Sequence, residues 1–139
     1  MNYTILFAIL SILFSVNSPT IEGKWKTIDD ETGKAKSIVE IYKKSDGKYY
    51  GKIVELLIKP KHDKCVECSG SKKNQPLIGL EIVEGLVKKG NEWVDGNITD
   101  PKTGKTYSCE AKINKKGNLE IRGYIGFSLL GRTQTWIRQ

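Results

Sequence analysis

Cys65-Val66-Glu67-Cys68 is the stretch whose residue types and spacing come closest to chemistry, with His62 three residues before it and Cys109 further along. Three chemistries suit that set. In an exported chain cysteines oxidise, so Cys65 or Cys68 is expected to bridge to the other or to Cys109. A bridge to Cys109 would close about forty residues and stabilise by roughly 3 to 4 kcal/mol in the chain-entropy account. The second chemistry is zinc: Cys65, Cys68 and Cys109 supply three thiolates and His62 a fourth ligand. A second CxxC, which many zinc sites pair with the first, is missing. The third is thiol redox, with Lys61 and Lys64 lowering the pKa of Cys65, although no thioredoxin-like strand and helix surround the pair.

Other reactive constellations fall away. The chain holds a single His and has no GxSxG, no Walker loop and no GxGxxG between a strand and a helix. Asp29, Asp30 and Asp100 lie in turns, where the carboxylate caps local backbone. Asp95 differs, because Trp93-Val94-Asp95-Gly96-Asn97 alternates so as to put Asp95 on the face of Trp93 and Asn97. A carboxylate facing a barrel interior there needs a cation, and Arg122 or Arg132 is the candidate. No nucleophile or base emerges, so the chain is expected not to be an enzyme and to need no cofactor.

The elements that must position these residues are short strands. Turn chemistry recurs at Asp29 to Gly33, Ser45 to Gly47, Lys89 to Asn91, Asp100 to Gly104 and Asn114 to Asn118. Between the turns lie eight candidate strands: Gly23 to Ile28, Ala35 to Lys43, Lys48 to Leu57, Gly79 to Val87, Glu92 to Thr99, Lys105 to Asn114, Leu119 to Gly126 and Arg132 to Arg138. Tyr107, Cys109, Ala111 and Ile113 share one face, and Leu119, Ile121, Gly123 and Ile125 repeat the pattern. Gly79 to Val87 also suits a short helix. Gly51, Gly96 and Gly123 suit the bends of a small barrel. Ile58 to Pro76, rich in lysine and holding the CxxC, reads as a long exposed loop.

Residues 1–18 carry no charge and are apolar from Tyr3 to Val16, too short a run to span a bilayer comfortably. They read as an export signal, with no transmembrane anchor once it is removed. Residues 19–139 then form one domain. Hydrophobic residues make up 38% of the chain and the leader takes a share of them, so the core is thin. The net charge of +7 is scattered lysine among Glu and Asp, without arginine interleaved with aromatics, so no nucleic-acid partner is expected.

Trp25 near the start and Arg138 near the end meet if the sheet closes on itself, the guanidinium covering the indole. The fold is therefore read as all-β, a small antiparallel up-and-down barrel of about eight strands, with Gly23, Trp25, Trp136 and Arg138 as closing residues. Taken with the CxxC, Gly23-x-Trp25, Gly96-x-Ile98-x-Asp100-Pro101-x-x-Gly104-Lys105-x-Tyr107-x-Cys109 and the run from Ile121 to Arg138, the chain resembles the exported bacterial family called domain of unknown function 2147. The resemblance implies a small periplasmic or secreted bacterial protein and carries over no catalytic residue. A looser likeness, through Gly23, Trp25 and Arg138, is to the lipocalins and other calycins, although no C-terminal helix pattern follows the last strand.

An eight-stranded barrel has room for side chains or one small ligand. The expected lining is Trp93, Asp95, Tyr107, Ile121, Arg122 and Tyr124, although Arg122 and Tyr124 have the parity opposite to Ile121. The favoured expectation is a calycin-like module binding a small molecule. The rival is an interaction protein of the cell envelope, its barrel packed and its Lys-rich loop docking on an acidic partner. A thiol-redox or zinc protein comes third.

Overall fold

The computed structural model describes residues 11–13, 18–127 and 129–139. The export signal expected over residues 1–18 lies, apart from 11–13 and Ser18, outside the described residues. Eight strands follow in order: β1 Gly23–Ile28, β2 Ala35–Lys43, β3 Tyr49–Leu56, β4 Glu81–Lys89, β5 Glu92–Thr99, β6 Thr106–Ile113, β7 Leu119–Tyr124 and β8 Gly131–Arg138. Each pairs antiparallel with its sequence neighbour, and β1 pairs with β8 through Trp25 opposite Arg138 and Lys26 opposite Ile137. The sheet is a closed up-and-down barrel, so that each of these eight strands has a paired neighbour on both sides.

The period-2 alternation supplies the interior. Val39 and Ile41 from β2, Cys109 and Ala111 from β6, Leu119 and Ile121 from β7, and Trp25, Trp93 and Trp136 are buried together. The stretch that also suited a helix is β4, because its backbone pairs with β3 on one side and β5 on the other. A helix there would leave both neighbours with an unsatisfied ladder.

Alternating connections put residues 29–34, 57–80, 100–105 and 125–130 at one end of the barrel. Residues 44–48, 90–91 and 114–118 lie at the other, with the segment entering β1. Residues 29–34 and 100–105 are the same turn built twice. In each, an Asp carbonyl accepts from the glycine four residues on, and the Asp N–H donates to the carbonyl of the following lysine. The Asp side chain caps the turn by accepting backbone N–H bonds, from Glu31 and Thr32 onto Asp29 and from Lys102 onto Asp100.

The long connection is exposed along most of Ile58 to Pro76, as expected, but it is anchored inward at Cys65 and Cys68. It contains a short 3-10 turn, Gly70–Lys72, and folds back on itself: Cys65 N–H donates to Gln75 O, Asn74 N–H to Cys65 O and Leu77 N–H to Asp63 O. Cys65, Cys68, Leu77 and Leu80 join the buried core. A thin barrel core gains apolar area by drawing in these four side chains, while most of the loop stays exposed.

Candidate functional site

The end carrying the segment before β1 is closed. Ile21 is fully buried, and Trp25 Nε1 donates to its carbonyl at 2.8 Å. The Arg138 guanidinium stands 4.1 Å from the Trp25 ring centre and donates to Glu22 O at 3.2 Å and Thr20 O at 2.5 Å. Gly23, at φ +125°, lets the chain turn into β1 beside that guanidinium. One side chain thus ties the last strand to the segment before the first by charge-assisted hydrogen bonds and a cation–π contact.

At the opposite end a polar chain runs from the interior to the rim. Trp136 Nε1 donates to Gln134 Oε1 at 3.0 Å, and Gln134 Nε2 to Asp30 Oδ1 at 3.3 Å. Arg132 Nε donates to Asp30 Oδ2 at 2.9 Å and Arg132 Nη2 to Glu31 Oε1 at 3.1 Å. Thr27 and Ser37 form a buried hydroxyl pair at 2.8 Å on neighbouring β1 and β2. These polar residues carry no motif, and turn acids bound to a β8 arginine a hundred residues away leave no local signal.

The expected lining divides. Trp93 and Ile121 are buried, and Tyr107 is half-buried on the face of Cys109. Gly123 pairs with Cys109 across the ladder, and a Cβ there would lie in ordinary contact with Ile98 and Tyr107. Asp95 is corrected: it is exposed, at φ +59°, in a register irregularity between Trp93 and Gly96. The extra residue shifts parity, so Gly96 takes the inward position and Asp95 turns out. Its expected cation partners are engaged elsewhere, Arg132 by Asp30 and Glu31, and Arg122 by Thr133 Oγ1 at 3.1 Å. Arg122 lies on the outer face, lining a surface concavity of about 140 Å3 with Glu92, Glu110, Lys112 and Glu120. Tyr124 shares that outer parity, and burial followed by the Glu110 and Asp95 carboxylates pushes its hydroxyl pKa up. A second concavity, about 410 Å3, lies at the β6–β7 hairpin beside Asn114 and Lys116.

The cysteines resolve one way. Cys65 and Cys68 are joined by a disulfide, with Cα atoms 5.3 Å apart. Cys109 is a free thiol buried in β6, so the long-range bridge to it is corrected. Burial first, then the Glu110 charge, pushes the Cys109 pKa up to about 12, which keeps it a neutral thiol. His62 is exposed, and among the described residues no group of three metal-ligating side chains converges. With two of the three thiols tied in a disulfide, the donor set does not fit zinc in this state.

Three tryptophans fill the barrel, and their indole N–H groups differ. Trp25 donates to Ile21 O and Trp136 to Gln134. Trp93, 1% exposed and packed edge-on against Tyr49, has a buried Nε1 with no hydrogen-bond partner among the described residues. That orphan donor is visible only in three dimensions, since the sequence marks Trp93 no differently from the other two.

The fold has a solved counterpart. Protein HP1028 from Helicobacter pylori, described as belonging to the lipocalin family, superposes with a TM-score of 0.75 at 24% identity, covering 86% of this chain and 83% of that one. At that identity the likeness is one of fold. No curated protein matches the chain by sequence. A family model described as "Uncharacterized protein conserved in bacteria (DUF2147)" matches residues 23–138, from the glycine that enters β1 to the arginine that closes β8. The chain belongs to the DUF2147 family of bacterial proteins.

Proposed function

We propose that this chain is a non-catalytic binding module, exported to the bacterial periplasm or secreted, that takes a small amphipathic molecule against its barrel interior. The observation that carries the reading is the buried Nε1–H of Trp93, which has no partner among the described residues. A buried donor without an acceptor costs about 1–3 kcal/mol, and native proteins keep few of them. A ligand bearing a carboxylate, carbonyl or hydroxyl supplies the missing acceptor, while the apolar side chains around Trp93 receive its hydrocarbon part. The lipocalin-like barrel supports the same reading. The apolar leader and the oxidised Cys65–Cys68 pair favour export.

A second reading, an envelope interaction protein with a packed barrel, is favoured by the glycines. A Cβ on Gly96 would fall 2.7 Å from Leu86 Cδ2, and one on Gly51 would fall 3.1 Å from Val39 Cγ1, so neighbouring side chains already cover those positions. The Lys-rich connection, its proposed contact with an acidic partner, spends Lys72 on Glu84.

Native mass spectrometry of protein recovered after export, with a fluorescence titration using dodecanoate as probe, separates the two. The binding reading expects a co-purifying mass or saturable dodecanoate binding. It also expects Trp93→Phe to weaken dodecanoate about two- to tenfold, the worth of one hydrogen bond, without destabilising the free protein. A bare chain with no saturable binding overturns it in favour of the packed barrel.

A further inference from the structure

The β7–β8 connection breaks the rule that a small barrel hides its large apolar side chains. Ile125, Phe127, Leu129 and Leu130 are 69%, 77%, 88% and 70% exposed. Leu130 N–H donates to Phe127 O at 3.0 Å, and the side chains of Ile125, Phe127, Leu129 and Leu130 are exposed. Four large apolar groups in six residues are more than scattered surface hydrophobes, and such clusters mark contact sites.

The surroundings indicate what covers them. The same barrel end carries Leu57 and Ile58, both exposed, at the start of the long connection. It also carries exposed Lys59, Lys61 and Lys64, and Lys102 and Lys105 in the β5–β6 turn. The acids at this end are largely engaged: Asp29 by Lys36, and Asp30 and Glu31 by Arg132. Asp63, Glu67 and Glu55 remain exposed, and Asp100 caps the β5–β6 turn, against those five lysines. An apolar tip flanked by lysines matches the layered chemistry of a bilayer surface, anionic headgroups outside and hydrocarbon beneath.

We infer that the loop-bearing end of the barrel docks on anionic phospholipid, with Phe127, Leu129 and Leu130 entering the headgroup boundary and the lysines of residues 59–64 and 102–105 facing the phosphates. This goes beyond the ligand reading and stands apart from it. Docking there places the barrel's polar rim, Arg132 with Asp30 and Glu31, against the lipid surface.

The test is co-sedimentation of the chain from Pro19 onward, which holds every strand and the Thr20–Glu22 contacts of Arg138. Vesicles of phosphatidylcholine with about one-third phosphatidylglycerol are compared with phosphatidylcholine alone. Binding is expected to the anionic vesicles and to weaken as salt rises. Phe127→Ser/Leu129→Ser/Leu130→Ser is expected to reduce it at least tenfold with little change in thermal midpoint, because these side chains leave little buried on removal. Lys59→Glu/Lys61→Glu/Lys64→Glu is expected to abolish the preference for anionic lipid while leaving the dodecanoate titration unchanged. Absence of vesicle binding, or equal binding by the triple-serine variant, overturns the inference. So does a lipid-free dimer in sedimentation equilibrium that the triple-serine variant dissolves, since the tip would then be covered by a second copy.

Discussion

Gly104→Ala tests whether the disulfide-bearing connection is packed onto the barrel by backbone contact. Gly33 is its internal control. The two glycines end turns of the same pattern, Asp29 to Lys34 and Asp100 to Lys105, with matching hydrogen bonds and φ values of +71° and +74°. Alanine at either position bears the left-handed cost, about 1–2 kcal/mol. Beyond that the positions part. A Cβ on Gly33 meets nothing within 4 Å, whereas one on Gly104 would lie 1.8 Å from Glu67 O and 2.4 Å from Glu67 C. Those are backbone atoms beside the buried Cys65–Cys68 pair, so no side-chain rotation relieves the clash and the connection must lift from the turn. Overpacking of this kind adds roughly 1–3 kcal/mol. For a domain of this size 1 kcal/mol moves the thermal midpoint by about 3–6 °C. Gly33→Ala is therefore expected to lower it by about 5 °C and Gly104→Ala by about 10–20 °C. Thermal melts by circular dichroism measure both, and amide exchange at residues 64–76 should accelerate only in Gly104→Ala. Equal midpoint shifts with unchanged exchange would refute the packing argument.

Arg138→Ala removes the cation–π contact with Trp25 and the two hydrogen bonds to the segment entering β1, and is expected to cost about 1–3 kcal/mol. Dodecanoate affinity should stay unchanged at temperatures where the variant remains folded, and a selective loss of binding at full stability would assign Arg138 to the ligand site instead. Asp29 sets an acid limit. Its hydrogen bond with Lys36, then the backbone N–H of Thr32, holds its carboxyl well below the ordinary 3.8. A depressed folded-state pKa gives stability that is present above 3.8 and lost as pH falls from there toward the folded value. Melts across that acid range should show a shallower loss for Asp29→Asn than for the parent, and parallel curves would contradict the linkage.

Local order was legible in the residues. The alternation of Tyr107, Cys109, Ala111 and Ile113 and the turn residues between the runs place the strands within one or two residues, because both signals are set by neighbours in the chain. Closure was legible too, since an up-and-down order with Trp25 at one end and Arg138 at the other leaves β1 and β8 to pair. The site was less so. Asp95 shows why: inside or outside depends on counting residues along a strand, and one bulged residue reverses the count. For the cysteines, spacing allowed Cys65 to pair with Cys68 or with Cys109.

The sequence by itself determined the all-β class, the eight strands and the bracket that closes them, because period and turn chemistry act over a few residues. Only the tertiary structure decided that Cys65 and Cys68 are drawn into the core, that Arg132 serves Asp30 and Glu31, and that one of three indoles lacks an acceptor among the described residues. Those outcomes depend on which distant groups share a small interior, and hydrogen-bond partners there are assigned by space after the chain has closed.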